Sequence, residues 1–124
     1  MKKKIFDDFY SPYQESDSET MDDWYKAYLE DEERFITKDE YTFSKIIHRC
    51  KFSIKPGYRL LVVFEPQEVI RIGDVLIDEV GHEFTISAFE MIRFAGEHPD
   101  WYLKAVPVSI VGESYNIGEY LRKK

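Results

Sequence analysis

The residues of this chain that could carry metal or thiol chemistry are three histidines and one cysteine: His48, His82, His98 and Cys50. His48 and Cys50 are two residues apart, so in a strand their side chains would share one face. A structural zinc site needs four ligands at suitable spacing, and the chain has no second cysteine. We therefore expect no metal, no cofactor and no internal disulfide.

The nucleophile, base and orienting group of a hydrolase are not brought together by any pattern in the sequence. Nothing around Cys50 marks its thiol as activated. Asp78 and Glu79 are neighbours, and neighbouring residues of a strand point to opposite faces, so they cannot flank one substrate. The phosphate-binding patterns G-x-x-x-x-G-K-[ST] and G-x-G-x-x-G are absent. We expect the protein not to be an enzyme.

Charge is distributed unevenly along the chain. The net charge is −7, and residues 1–40 hold 13 acidic and 6 basic side chains, whereas residues 41–124 hold 11 of each sign. An acidic segment is a poor match for nucleic-acid phosphates and a good match for a basic protein. The alternative is that the acidic residues only keep the protein in solution.

The first element that would present these acidic residues is a helix over residues 20–36. Thr20 is a candidate N-cap, and Asp23 lies three residues later, as in a capping box. Apolar residues recur at the spacing of one helix face: Met21, Trp24, Tyr25, Tyr28 and Leu29. We expect this stripe to dock on the rest of the protein, with a partner-facing patch as the alternative. The predicted partner-binding residues are the acidic ones of the same segment: Asp22, Asp23, Glu30, Asp31, Glu32 and Glu33.

A second capping pattern, Thr37 with Glu40, favours a further short helix ending near His48, with a strand as the alternative. From about residue 51 the chain instead shows short runs rich in β-branched and aromatic residues, separated by Gly- and Pro-containing turns. In "EFTIS", Phe84 and Ile86 should share the buried face. At the "IGD" corner, Gly73 should adopt a positive φ and Asp74 should accept backbone N–H groups.

Four short motifs occur in order through this β-rich region. They are Phe52-Ser53-Ile54, Ile70-Arg71-Ile72-Gly73-Asp74, Phe89-Glu90-Met91, and Ile117-Gly118 followed by Leu121. In this order they make residues 52–121 resemble the β-barrel second domain of translation elongation factor Tu and related translational GTPases. The resemblance implies a small barrel, and in that family such barrels contact tRNA or ribosomal RNA. The family's Gly-rich second strand is replaced here by "GYRLLVVFEPQ", and nucleotide hydrolysis is not implied.

The fold predicted from these patterns is mainly β. It is a small Greek-key-like closed β-barrel of about six or seven strands with an N-terminal helical appendage, which makes it α+β. Residues 1–19 form an extended arm, residues 20–50 an acidic helical segment and residues 51–124 the barrel. The lone cysteine, the lack of a signal-peptide pattern and the lack of an apolar run of about 20 residues predict a cytoplasmic protein.

The predicted function is that of a non-catalytic protein-binding module, such as an inhibitor or immunity-type protein, whose acidic N-terminal helix binds a basic protein. Two alternatives stay open. One is a stand-alone translation-factor-like barrel that binds RNA or the ribosome. The other is a barrel that binds a small molecule at a mouth lined by Tyr58, Trp101 and Tyr102.

Overall fold

The computed structural model describes residues 6–13, 21–52, 57–90 and 104–124. These residues contain one helix and nine strands. The helix α1 is Met21–Glu30, and the strands are β1 (Phe6–Tyr10), β2 (Phe35–Lys38), β3 (Tyr41–Lys45), β4 (His48–Phe52), β5 (Tyr58–Phe64), β6 (Val75–Asp78), β7 (Glu83–Phe89), β8 (Val106–Gly112) and β9 (Tyr120–Lys123). The protein is therefore mainly β, as predicted.

All nine strands form one antiparallel sheet in the order β1-β4-β5-β8-β7-β6-β9-β3-β2. No ladder joins the two ends of this order among the described residues, so the sheet is open and the predicted closed barrel of about six or seven strands is wrong. The physical reason lies in the segment before residue 50. It adds β1 to the outer edge of β4 and β2 to the outer edge of β3, and these are the two edges that would otherwise have been available for closure.

The open sheet is nevertheless strongly coiled. In the sheet order, β4 and β3 are separated by six strand-to-strand steps, yet the chain connects them through Ile46 and Ile47 alone. Six steps in a flat sheet would span about 29 Å, whereas this link reaches about 10 Å at most. The sheet must therefore curl until its β3 and β4 ends approach each other. The Ile46 N–H donates to Glu119 O and the Ile47 N–H donates to Val63 O, both at 2.8 Å. These bonds attach the link to the residue before β9 and to β5.

Most of the main core consists of side chains that alternate residues of the strands contribute to one face of the coiled sheet, and Ile46 and Ile70 join it from the β3–β4 and β5–β6 links. Its buried members are Ile46, Leu60, Val62, Phe64, Ile70, Leu76, Phe84, Ile86, Val108, Ile110 and Leu121. Phe84 and Ile86 are buried and the intervening Thr85 is exposed, which confirms the predicted alternation in β7. Full burial of each such side chain contributes about 1.5–3 kcal/mol, so this cluster is the main source of stability.

The helix packs against the opposite face of the sheet. A second buried cluster joins Trp24, Tyr25 and Tyr28 of α1 to residues of the sheet and its links, namely Ile47, Val63 and Ala105. Val63 alternates with Val62 of the main core, so the helix covers the other face of β5. The predicted docking of the aromatic stripe is confirmed, although Leu29 stays 45% exposed. The described part of the chain contains no helix that is long and apolar enough to cross a membrane.

The segment after α1 departs most from the prediction. The helix ends at Glu30 rather than near residue 36, and β2 and β3 form a hairpin where a helix ending near His48 was predicted. The runs "FIT" and "YTF" are rich in β-branched and aromatic residues, which fit a half-buried strand better than a helix. Pairing of β3 with β9 buries Phe43 and Ser44, and this non-local gain outweighs the local capping pattern.

Two turns within residues 69–84 lie at one end of the coiled sheet. Gly73 has a φ of 95° and Asp74 Oδ2 accepts the Arg71 N–H at 2.8 Å, both as predicted. At the next turn, the Asp78 side chain is fully buried and its Oδ1 accepts the backbone N–H groups of Val80, Gly81 and His82 at 3.1, 2.7 and 2.7 Å.

The other carboxylate oxygen of Asp78 contacts both this turn and the segment before β9. Asp78 Oδ2 lies 2.9 Å from His82 Nδ1 and accepts the Gly118 N–H at 2.7 Å. Burial alone would raise the pKa of the Asp78 carboxyl, but hydrogen bonds from Gly118, His82 and Gly81 lower it below its ordinary value. The ionised carboxylate thus ties the β6–β7 turn to the residues that lead into β9.

Candidate protein-binding surface

Aromatic contacts fix the position of the helix that carries the acidic residues. The Trp24 ring stacks on His48 with centroids 4.8 Å apart, and Tyr28 meets the edges or faces of Tyr13 and Phe35 at 6.1 and 6.3 Å. Tyr25 OH donates to Glu65 Oε1 at 3.4 Å. Burial and the nearby Glu65 raise the pKa of Tyr25 to about 12, so its hydroxyl remains a donor at neutral pH. The C-terminal end of α1 is therefore held at a defined place on the sheet.

The C-terminal end of α1 is capped by the side chain of Arg34, which follows the helix in the chain. Arg34 Nη1 donates to the backbone oxygens of Leu29 at 2.8 Å and Asp31 at 3.3 Å. These carbonyl groups have no partner inside the helix and carry the negative end of its dipole. The guanidinium also lies 5.2 Å from the centre of the Phe35 ring. Arg34 thus caps the C-terminal end of α1 and contacts the first residue of β2.

Asp31 is anchored within the protein rather than directed outwards. Its Oδ2 lies 2.9 Å from Lys45 Nζ and accepts the Tyr13 hydroxyl at 2.8 Å, and its Oδ1 accepts the Glu33 N–H at 2.8 Å. Burial alone would raise the pKa of Asp31, but the hydrogen bonds from Lys45, the Glu33 amide and Tyr13 lower it. Its charge is matched by Lys45, so Asp31 adds little to the outward field.

The other acidic residues around β2 are exposed at both ends of the strand. We refer to them as the acidic edge: Glu30, Glu32, Glu33, Asp39 and Glu40. Among the described residues, none of the five takes part in an ion pair. The same segment holds two cations, Arg34 and Lys38, whose side chains donate to the backbone oxygens of Leu29 and Glu79, so acidic side chains outnumber basic ones. The surface of this segment is therefore negative.

The predicted partner-binding residues do not all lie together. Glu30, Glu32 and Glu33 gather at the end of α1, whereas Asp23 is exposed at its other end, about 10 Å away along the axis. The side chain of Asp22 lies outside the described residues.

Asp39 and Glu40 are members of the acidic edge that were not predicted. They turn the β2–β3 hairpin with φ values of 52° and 71°. Two residues between two alternating runs are a hairpin signal, but this one was hidden because neither residue is the usual Gly or Asn.

The predicted small-molecule pocket is described only in part. Tyr58 is 48% exposed and meets Tyr115 edge to face at 5.2 Å, whereas Trp101 and Tyr102 lie outside the described residues. A cleft of about 380 Å³ lies at this end of the sheet and is lined by Arg49, Cys50, Lys51, Leu60, Tyr115, Asn116 and Ile117. Arg49 Nη1 donates to the backbone oxygens of Ile117 and Gly118 at 3.0 and 2.7 Å, which fixes one wall.

His48 and Cys50 lie in the same strand, and His82 lies apart from them, between β6 and β7. His48 and Cys50 are buried in β4, where the Trp24 ring covers His48. His82 contacts Asp78 at the β6–β7 turn, and His98 lies outside the described residues. Within the described part of the chain, no group of three or more His, Cys, Asp or Glu side chains is arranged to hold a metal ion.

Comparison with known proteins gives no assignment for this chain: no protein-family model, no curated protein and no solved structure matches it. The resemblance of residues 52–121 to the second domain of elongation factor Tu therefore stays a prediction.

Proposed function

We propose that this protein is a non-catalytic binding module of the inhibitor or immunity type, and that its acidic edge binds a basic protein. One observation carries the proposal. Within residues 30–40, five carboxylates are exposed and without ion pairs among the described residues, while Arg34 and Lys38 donate to backbone oxygens of the chain itself. Acidic side chains therefore outnumber basic ones on the surface of this segment.

The spacing of these charges suits electrostatic attraction of a partner. The two acidic groups flank β2, and their nearest members, Glu33 and Asp39, are six residues apart, which at about 3.3 Å per residue separates them by up to about 20 Å. This is about twice the Debye length of about 8–10 Å at physiological salt, so each group attracts positive charge mainly at its own end of the strand. Such a surface accelerates the approach of a positively charged protein and makes its association rate sensitive to salt.

Charge reversal tests the proposal, and the chain offers a matched control. The test variant carries Glu32→Lys and Glu33→Lys, which leaves the internal Asp31 intact. The control variant carries Glu68→Lys and Glu113→Lys, two exposed residues outside the acidic edge. Both variants change the net charge from −7 to −3. Only the test variant changes the surface proposed to bind.

The measurement is the association rate with a protein captured from the native cell, followed by surface plasmon resonance at several salt concentrations. We expect the wild type and the control to bind with a steep salt dependence, and the test variant to associate about ten-fold more slowly with a shallower dependence. If the association rate fell equally in both variants, the effect would come from net charge alone and not from the acidic edge. Capture of RNA or ribosomes in place of a basic protein would contradict the proposal.

A further inference from the structure

We infer that the partner contributes an extended segment that adds to the outer edge of β2 as a further strand of the sheet, with basic residues at its two ends. This inference rests on the proposed function and specifies how the acidic edge would recognise its partner. β2 stands last in the strand order, and among the described residues its one partner in the sheet is β3. Addition of a strand to an exposed edge is a common way of binding an extended peptide.

The hydrogen-bond pattern shows which backbone groups of β2 point outwards. Lys45 N donates to Arg34 O at 2.7 Å, so Arg34 and Lys45 form a hydrogen-bonded pair. Such pairs alternate along an antiparallel ladder, which makes Ile36 with Phe43 and Lys38 with Tyr41 the next bonded pairs. The N–H and C=O groups of Phe35 and Thr37 must then face away from β3. No described residue hydrogen-bonds to them.

Side-chain contacts hold β2 in position. Phe35 is held by the Tyr28 ring and by the Arg34 guanidinium, so β2 is already in place before a partner arrives. At the other end of the strand, Lys38 Nζ donates to Glu79 O. The free groups of Phe35 and Thr37 are thus presented on a preformed strand, which lowers the entropic cost of binding.

The charges at the ends of β2 favour a basic segment over a second copy of this chain. If two copies of β2 paired antiparallel through their outward groups, with Phe35 of each opposite Thr37 of the other, Glu33 of each would lie opposite Asp39 of the other. Like charges directly opposite each other destabilise a strand pair. A segment with Lys or Arg at both ends meets Glu32 and Glu33 at one end of β2 and Asp39 and Glu40 at the other. Charge complementarity therefore selects a basic partner segment.

A pair of synthetic peptides separates strand addition from simple charge attraction. The first probe is an octapeptide of four Lys-Val repeats with blocked termini. The second is the same peptide with its two central backbone amides N-methylated, one facing each edge of the extended peptide. The two probes carry the same charge, but the second cannot form the central part of a ladder. We expect the wild-type protein to bind the first at least ten-fold more tightly.

Amide hydrogen exchange followed by NMR locates the bound peptide. In the free protein, the amides of Ile36 and Lys38 should exchange slowly and those of Phe35 and Thr37 quickly. Saturation with the unmodified probe should slow exchange at Phe35 and Thr37 at least ten-fold, with a smaller effect at Ile36. Unchanged exchange at Phe35 and Thr37 in the bound state would overturn the inference, as would a lack of binding by this probe.

Two variants separate failure of this inference from failure of the proposed function. Thr37→Pro removes one outward N–H without removing a bond to β3, so it should abolish the preference for the unmodified probe. The Glu32→Lys, Glu33→Lys variant should weaken both probes about equally. Equal binding of both probes by the wild type would overturn strand addition alone. If charge reversal left both affinities unchanged, the proposed function would fail as well. The wild-type comparison stands even if Thr37→Pro does not fold.

Discussion

Replacement of Asp78 by Asn should destabilise the protein more than its single atom change suggests. Asn retains Oδ1, which can still accept the three N–H groups of the β6–β7 turn. It replaces Oδ2 by an NH₂ group. In the wild-type protein Oδ2 accepts the Gly118 N–H at 2.7 Å, so in the variant the NH₂ group faces another donor. One bond to a charged acceptor is lost and two donors are brought together. A hydrogen bond to a charged group contributes about 1.5–3 kcal/mol, so we expect a loss of about 2–3 kcal/mol at pH 7.

The pH dependence of this loss is a second, independent part of the prediction. The folded-state pKa of Asp78 lies below its ordinary value, so the carboxylate stabilises the fold fully above the ordinary value of about 4. That contribution disappears as the pH falls through the lowered folded-state pKa. The difference in unfolding free energy between wild type and Asp78→Asn should therefore shrink from pH 7 towards pH 3.

Urea unfolding followed by tryptophan fluorescence at several pH values measures both parts. The control is Asp74→Asn, because Asp74 also accepts a turn N–H at 2.8 Å but its side chain is 27% exposed. We expect this control to lose less than about 1 kcal/mol. Two results would refute the reasoning about Asp78. One is a loss no larger than that of the control, and the other is a difference from wild type that does not change with pH.

Three further predictions concern the hairpin, the core and the internal ion pair. Glu40→Gly should raise the unfolding free energy by about 0.5–1 kcal/mol, because Glu40 has a φ of 71° that glycine adopts without strain; an unchanged urea midpoint would contradict this. Gly112→Ala should lower it by about 1–3 kcal/mol, since a Cβ there would lie 2.5 Å from Phe84 Cδ2, and a thermal melt as stable as wild type would count against that packing. A double-mutant cycle of Asp31→Asn and Lys45→Met should give a coupling of about 0.5–1 kcal/mol, because the two side chains are only 19% and 18% exposed; a coupling of zero would show that the ion pair contributes nothing.

Local patterns in the sequence were enough to determine some elements of this protein. The spacing of Trp24, Tyr25 and Tyr28 places them on one face of a helix, and the structure buries all three. The "IGD" corner requires a residue that tolerates positive φ, and Gly73 supplies it. These features depend on residues a few positions apart, so the 3.6-residue and two-residue periods and the chemistry of glycine reveal them directly.

The tertiary structure decided the features that depend on residues far apart in the chain. Residues 35–45 form a hairpin rather than a helix because β9, some 75 residues later, pairs with β3. The carboxylate of Asp31 is bonded within the protein because Tyr13 and Lys45 reach it from elsewhere in the chain.

Whether the sheet closes is also decided by distant strands. β1 and β2 occupy the edges of β4 and β3, and the sheet stays open. Strand pairing joins segments without regard to their separation in the chain, so neither charge nor periodicity within one segment reveals which edge remains free. The outer edge of β2, which pairs with no described strand, is where the proposed partner would bind.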